Sequence, residues 1–171
     1  MRRRTWLRIG IGGAALLALG GGTLALVRPG WSAGRLTPAG RELFAAVARG
    51  VLAGTLSDRA AQPMPHARML AAHLERLQTT IAALPAPTQQ DIAELAAVLL
   101  HPLGRRLFAG LATDWRDASP AELQATLQRL RISSLTLRQQ AFHALRDLTN
   151  GAFFAGPGTW EAIGYPGPRP I

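Results

Sequence analysis

Pro65-His66-Ala67-Arg68-Met69-Leu70-Ala71-Ala72-His73-Leu74-Glu75-Arg76-Leu77-Gln78-Thr79-Thr80-Ile81-Ala82-Ala83-Leu84 decides the fold class. Leu70, Leu74, Leu77, Ile81 and Leu84 follow one another by steps of four and three, so they form a narrow apolar seam along one side of a helix. The opposite side carries Arg68, Glu75, Arg76, Gln78 and Thr79. Such a seam has to be covered by other helices. Pro63 and Pro65 hold off the helix until Pro65 itself, and Pro85 and Pro87 end it.

The segments on either side repeat the pattern. Upstream, Thr37 can cap a helix with Pro38 in its first position, and Leu43, Phe44, Val47 and Val51 recur at helical spacing until Gly54. Ser57 to Pro63 reads as a polar loop. Downstream, Thr88 and Asp91 have the spacing of a capping pair for a helix buried along Ile92, Leu95, Ala96 and Leu99, which Pro102 ends or kinks. Leu103 to Leu111 reads as a short helix with Arg105 and Arg106 exposed. Asp114, Trp115 and Asp117 lie in a polar connection. Ser119-Pro120-Ala121-Glu122 is the clearest helix start in the chain, and Leu123, Leu127 and Leu130 follow as its inward stripe.

The last long helix is expected from about Leu135 to Phe154. Ala141, Leu145, Leu148 and Ala152 lie on one side, Phe142 and Phe153 beside them, and Asn150-Gly151 loosens the helix near its end. Pro157 to Ile163 reads as one short turn, and Tyr165 to Pro170 as extended chain. No stretch shows sustained alternation of β-branched residues. The expected fold is all-α, a compact bundle of about five helices after an N-terminal signal or anchor segment, with an extended Pro-rich tail.

The N-terminal segment is basic and then uncharged. Arg3-Arg4-Thr5-Trp6-Leu7-Arg8 resembles the leader read by the twin-arginine export route, with Arg3, Arg4, Trp6 and Leu7 as its recognition residues. Ile9 to Val27 has no charge, and six glycines dilute its hydrophobicity. The competing reading is an ordinary membrane anchor, since 19 residues approach the roughly 20 that cross a bilayer. Small residues at Ser32-Ala33-Gly34 offer a cleavage point without the usual A-x-A pattern. Cleaved and uncleaved forms both stay open. The domain boundary is set at residues 1–34 and 35–171, and the periplasm, with or without an inner-membrane anchor, is the expected location.

Charge and composition narrow the function. The net charge of +9 is concentrated at the start, because Arg2, Arg3, Arg4, Arg8 and Arg28 have no acid among them. The remainder carries 14 Arg against 10 acids, a net of +4, which argues against a nucleic-acid surface. Cysteine is absent, which excludes disulfides, thiolate metal sites and covalent c-type haem attachment.

Catalytic and metal readings are weak. His66 and His73 lie seven residues apart without a third ligand, and His101 suits a helix end. His143, Arg146 and Asp147 share neighbouring turns, which fits an ion pair at least as well as an acid–base site. No catalytic residue, metal ligand or cofactor-binding residue is assigned. Trp115, Phe153, Phe154, Trp160, Tyr165 and Pro166 are the candidate partner-binding residues. Filling the domain's own core is the competing role for its aromatics.

One likeness organises these observations. The segment Phe142-His143-Ala144-Leu145-Arg146-Asp147-Leu148-Thr149-Asn150-Gly151-Ala152-Phe153-Phe154, followed by Trp160-Glu161-Ala162-Ile163-Gly164-Tyr165-Pro166-Gly167-Pro168, resembles the carboxy-terminal signature of the gluconate 2-dehydrogenase subunit 3 family. Leu36-Thr37-Pro38 and Val51-Leu52-Ala53-Gly54-Thr55 resemble that family's first mature helix. The resemblance implies a small, cofactor-free, non-catalytic subunit. It would bind and stabilise a flavoprotein dehydrogenase large subunit of the glucose-methanol-choline type and carry it through the twin-arginine translocase. A haem-carrying membrane subunit would be a further partner. The middle of the chain matches only in helical character. The competing expectation is a free-standing exported or membrane-anchored helical binding protein, with a small enzyme built on His143 and Asp147 behind it.

Overall fold

A computed structural model describes residues 28–56, 62–160 and 166. The expected leader residues Arg3, Arg4, Trp6 and Leu7, most of the 57–63 loop, and Tyr165 lie outside the described residues.

The described chain is helical apart from one short hairpin. Its elements are β1 (Trp31–Ser32), β2 (Arg35–Leu36), α1 (Pro38–Val51), α2 (Pro63–Ala82), α3 (Ala86–Leu100), a π-helical turn (Gly104–Ala109), α4 (Pro120–Arg131), α5 (Thr136–Phe154) and a 3-10 turn (Pro157–Thr159). The all-α bundle expected from the seam spacing is the observed architecture.

Helix α1 is the centre and touches each of the other four helices. Thr37 caps it, its hydroxyl oxygen accepting the Gly40 N–H at 3.0 Å, with Pro38 first in the helix. Leu43, Phe44, Ala46 and Val47 are all buried. Removing a large side chain of this kind from water is worth roughly 1.5–3 kcal/mol. Two glycines let neighbouring groups approach α1 closely, the Gly30 backbone at Gly40 and the Leu127 side chain at Gly50. A Cβ on Gly40 would lie 1.9 Å from the Gly30 carbonyl oxygen, and one on Gly50 would lie 2.9 Å from Leu127. The most extensive helix pair is α2 against α5. Leu74, Leu77 and Ile81 of the seam are fully covered, while Leu70 and Leu84 close its two ends half-buried.

Several local expectations are corrected. Helix α2 begins at Pro63, not Pro65. Both prolines fit because the first N–H groups of a helix have no internal partner, and the first backbone bond there comes from His66 to Gln62. Thr88 does not cap α3, which starts at Ala86 and accommodates Pro87 in its first turn. Gln89 closes the α2–α3 turn instead, its side-chain amide donating to the carbonyls of Ala82 (3.1 Å) and Leu84 (2.8 Å). Asn150-Gly151 does not loosen α5, which continues to Phe154 because Ala152 and Phe153 are anchored in the core.

The segment after Pro102 is a π-helical turn closed by Gly110 at φ +75°. Arg105, expected on the surface, is largely covered and paired with Asp114. At α4 the expected capping box is complete. The Glu122 N–H donates to Ser119 Oγ, and the Ser119 N–H donates to Glu122 Oε2 at 2.9 Å. These Ser119 bonds hold the Glu122 carboxyl below its usual range.

The hairpin is the one element that helical periodicity did not announce. Trp31 pairs with Leu36, and Ser32 with Arg35, across the turn at Ala33-Gly34. The boundary expected at residue 34 therefore passes between its two strands. Trp31 and Leu36 both belong to the main core. Two glutamines hold the hairpin down. Trp31 Nε1 donates to Gln89 Oε1 at 3.3 Å, and the Leu36 N–H donates to Gln78 Oε1 at 3.1 Å.

Candidate partner-binding surface

The six residues expected to bind a partner separate into three groups. Trp115 and Phe153 are each only 2% exposed, so in this fold they are core residues and not surface contacts. The Trp115 indole N–H donates to the Leu99 carbonyl at 2.8 Å, which satisfies its polar edge in the interior. Arg49 then holds the polar connection around it, donating to the carbonyls of Trp115 (2.9 Å), Arg116 (3.2 Å) and Ala118 (3.2 Å). Phe154 is 38% exposed, Trp160 is half-buried and Pro166 is exposed. Tyr165 lies outside the described residues.

Phe154 and Trp160 form a corner at the end of α5. The last carbonyls of a helix lack internal partners, and here side chains supply them. Trp160 Nε1 donates to the Phe154 carbonyl at 2.7 Å. The Thr159 hydroxyl lies 3.0 Å from the Phe153 carbonyl and 2.7 Å from that of Gly156. Arg76 Nε, from α2, donates to the Ala152 carbonyl at 2.9 Å, a placement that also sets a cation at the negative end of the helix dipole. The rings of Phe153 and Phe154 meet edge to face at 5.3 Å, so the exposed ring is backed by the buried one. The corner is thus preformed.

Beneath this corner lies His73. It is fully buried, its ring centroid is 6.4 Å from that of Phe153, and neither nitrogen has a hydrogen-bond partner. Burial first, and the nearby Arg76 guanidinium second, pull this imidazole from its ordinary 6.5 down to about 4. His66 is also buried, near the start of α2. Among the described residues no group of three His, Cys, Asp or Glu is placed to hold a metal.

The His143–Asp147 pair is not assembled as an acid–base site. His143 is exposed, with its ring against Phe142. The Asp147 carboxylate accepts from Arg146 at 2.9 Å, and Arg146 also covers the Phe142 ring at 5.6 Å. An open groove runs between α1, α4 and α5, with Gly50, Leu127, Gln128, Arg131, Phe142 and Arg146 along it, but neither His143 nor Asp147 lines it.

The long polar side chains Arg49, Arg76, Gln78 and Gln89 position this framework, and none of them was singled out as a positioning residue in the sequence. Each acts on backbone or indole groups far along the chain, so no local spacing could reveal them. Among the described residues no helix is long and apolar enough to cross a membrane. Comparison with family models, curated proteins and solved structures returns no match.

Proposed function

We propose that this chain is a non-catalytic accessory subunit that binds a flavoprotein dehydrogenase, stabilises it and escorts it through the twin-arginine route to the periplasm. The observation that carries this reading is the corner of Phe154 and Trp160. An aromatic pair, Phe154 exposed and Trp160 half-buried, is held on a capped helix end, directly before the Pro-rich tail. Rigid aromatics bind at low entropic cost, and extended prolines dock with little further loss. The leader-like Arg3-Arg4-Thr5-Trp6-Leu7 and the resemblance to the gluconate 2-dehydrogenase subunit 3 family support the same reading, including a haem-carrying membrane subunit as a further partner.

The test is co-expression with a leaderless flavoprotein of the glucose-methanol-choline type from the same genome. The flavoprotein is expected to reach the periplasm with this chain. It should stay in the cytoplasm when Arg3 and Arg4 are both changed to Lys, and it should lose its hold on the chain when Phe154 and Trp160 are both changed to Ala. Equal export with and without the arginine pair would refute the escort role. Recovery of the chain always without a yellow partner would favour a free-standing exported binding protein instead.

A further inference from the structure

One end of the bundle combines exposed apolar side chains with an excess of positive charge. Leu107, on the π-helical turn, is 71% exposed, and Ile132, after α4, is 67% exposed. Leu103 and Leu135 are each more than half exposed. Two arginines bring these separate elements to the same end. Arg138, one turn after Leu135, donates from Nη2 to the Leu107 carbonyl at 2.7 Å, and its guanidinium carbon lies 5.9 Å from the centre of the Phe108 ring. Arg129 Nη2, one turn before Ile132, donates to the Gly110 carbonyl at 2.7 Å.

Positive charge predominates here, with Asp91 of α3 the acid that lines a cleft alongside Leu137 and Gln140 of α5. No acid occurs from Leu95 to Thr113 or from Leu123 to Arg146. Asp114 is at hand but is engaged by Arg105. Arg106 and Arg131 are exposed beside the apolar residues.

The chain also enters the domain at this end. A side chain on Gly30 would meet Ala96 at 2.5 Å and Leu100 at 3.4 Å, on the last turn and a half of α3. Leu100 is three residues from Leu103. Pro29 is fixed nearby, its carbonyl accepting the Thr37 hydroxyl at 2.5 Å. The uncharged run Ile9 to Val27 therefore joins the domain next to the apolar end.

We infer that this end, with Leu103, Leu107, Ile132 and Leu135 directed outward and Arg106 and Arg131 beside them, rests on an anionic lipid bilayer. Apolar side chains enter the boundary between headgroups and acyl chains, while arginines pair with anionic headgroups. A bilayer fits this end better than a protein because an apolar segment of near-spanning length is attached beside it. This inference stands apart from the flavoprotein reading, since it uses neither Phe154 nor Trp160.

The absence of cysteine makes the test clean, because a single introduced thiol is unique. The full chain would carry Leu107→Cys, Ile132→Cys or, as a control on the exposed side of α2, Ala71→Cys, each labelled with an environment-sensitive fluorophore. Each would be mixed with vesicles of phosphatidylglycerol and phosphatidylethanolamine, or of phosphatidylcholine alone, with and without brominated lipid.

The labels at 107 and 132 are expected to shift to the blue and be quenched by brominated lipid on the anionic vesicles. Both signals should be lost on reversing Arg106 and Arg131 to Glu, and the label at 71 should stay water-like throughout. Water-like labels at 107 and 132 on anionic vesicles would overturn the inference. So would equal immersion on phosphatidylcholine, immersion of the label at 71, or shielding of 107 that appears only when the flavoprotein is added. The last result would assign this end to a protein partner.

Discussion

Trp31 and Trp160 lie near opposite ends of the described chain, and the domain receives them in opposite ways. Trp31 is sealed into the core by a two-residue-per-strand hairpin, its indole N–H given to Gln89. Trp160 lies half-buried on the end of α5, its indole N–H given to the Phe154 carbonyl. Both satisfy their polar edge, so hydrogen bonding does not separate them. Backbone approach does. Gly30 and Gly40 allow the hairpin to pack directly on α1 and α3, whereas at the α5 corner the Thr159, Trp160 and Arg76 side chains cover only the helix's final carbonyls. One edge is structural, and the other is left available.

Truncating the two rings should separate the two edges most strongly. Trp31→Ala is expected to lower the unfolding free energy by about 3–5 kcal/mol. Trp160→Ala should cost under about 1 kcal/mol. Urea titration of the two variants decides it, and equal losses would erase the distinction between the edges.

The next effect comes from His73, under the α5 corner. Its pKa is near 4 in the folded chain and 6.5 when free, so the unfolded chain binds the proton first. Stability is therefore greatest above pH 6.5 and falls as pH drops towards about 4. The total is roughly 3 kcal/mol, at about 1.4 kcal/mol per pH unit. Thermal melts across this window should show the slope, and His73→Leu should remove most of it.

The smallest effect separates two glycines. Gly40→Ala forces a Cβ onto the Gly30 carbonyl and is expected to cost about 1–3 kcal/mol. Gly158→Ala, on the 3-10 turn beside Trp160, meets open space and should change stability by less than about 0.5 kcal/mol. Paired denaturation curves check both.

How much of this was legible depended on the range of the interaction. The box at Ser119 and Glu122 could be read because its partners are three residues apart. The seam from Leu70 to Leu84 could be read because periodicity is a local property. The starts of α2 and α3 were misplaced because a proline in the first turn removes a donor that had no partner anyway, so Pro63 and Pro87 were no barrier. The segment after Pro102 could be read as a short helix, but its π-helical winding had no local signature. It depends on Gly104, where a Cβ would lie 1.9 Å from the Val98 carbonyl, and on Arg138 reaching across from α5. Of the candidate surface, Phe154, Trp160 and Pro166 are outward, while Trp115 and Phe153 are inside.

By itself the sequence determined the helical class, the number of main helices and the stripe each one buries, because these follow from spacings of three and four residues. Only the tertiary structure decided which aromatics are core and which are surface, and that Trp31 belongs to the domain. It alone brought the apolar residues near Leu107 and Ile132 to one positively charged end. The physical reason is that burial is set by what packs on top of a residue, and those partners come from dozens of positions away.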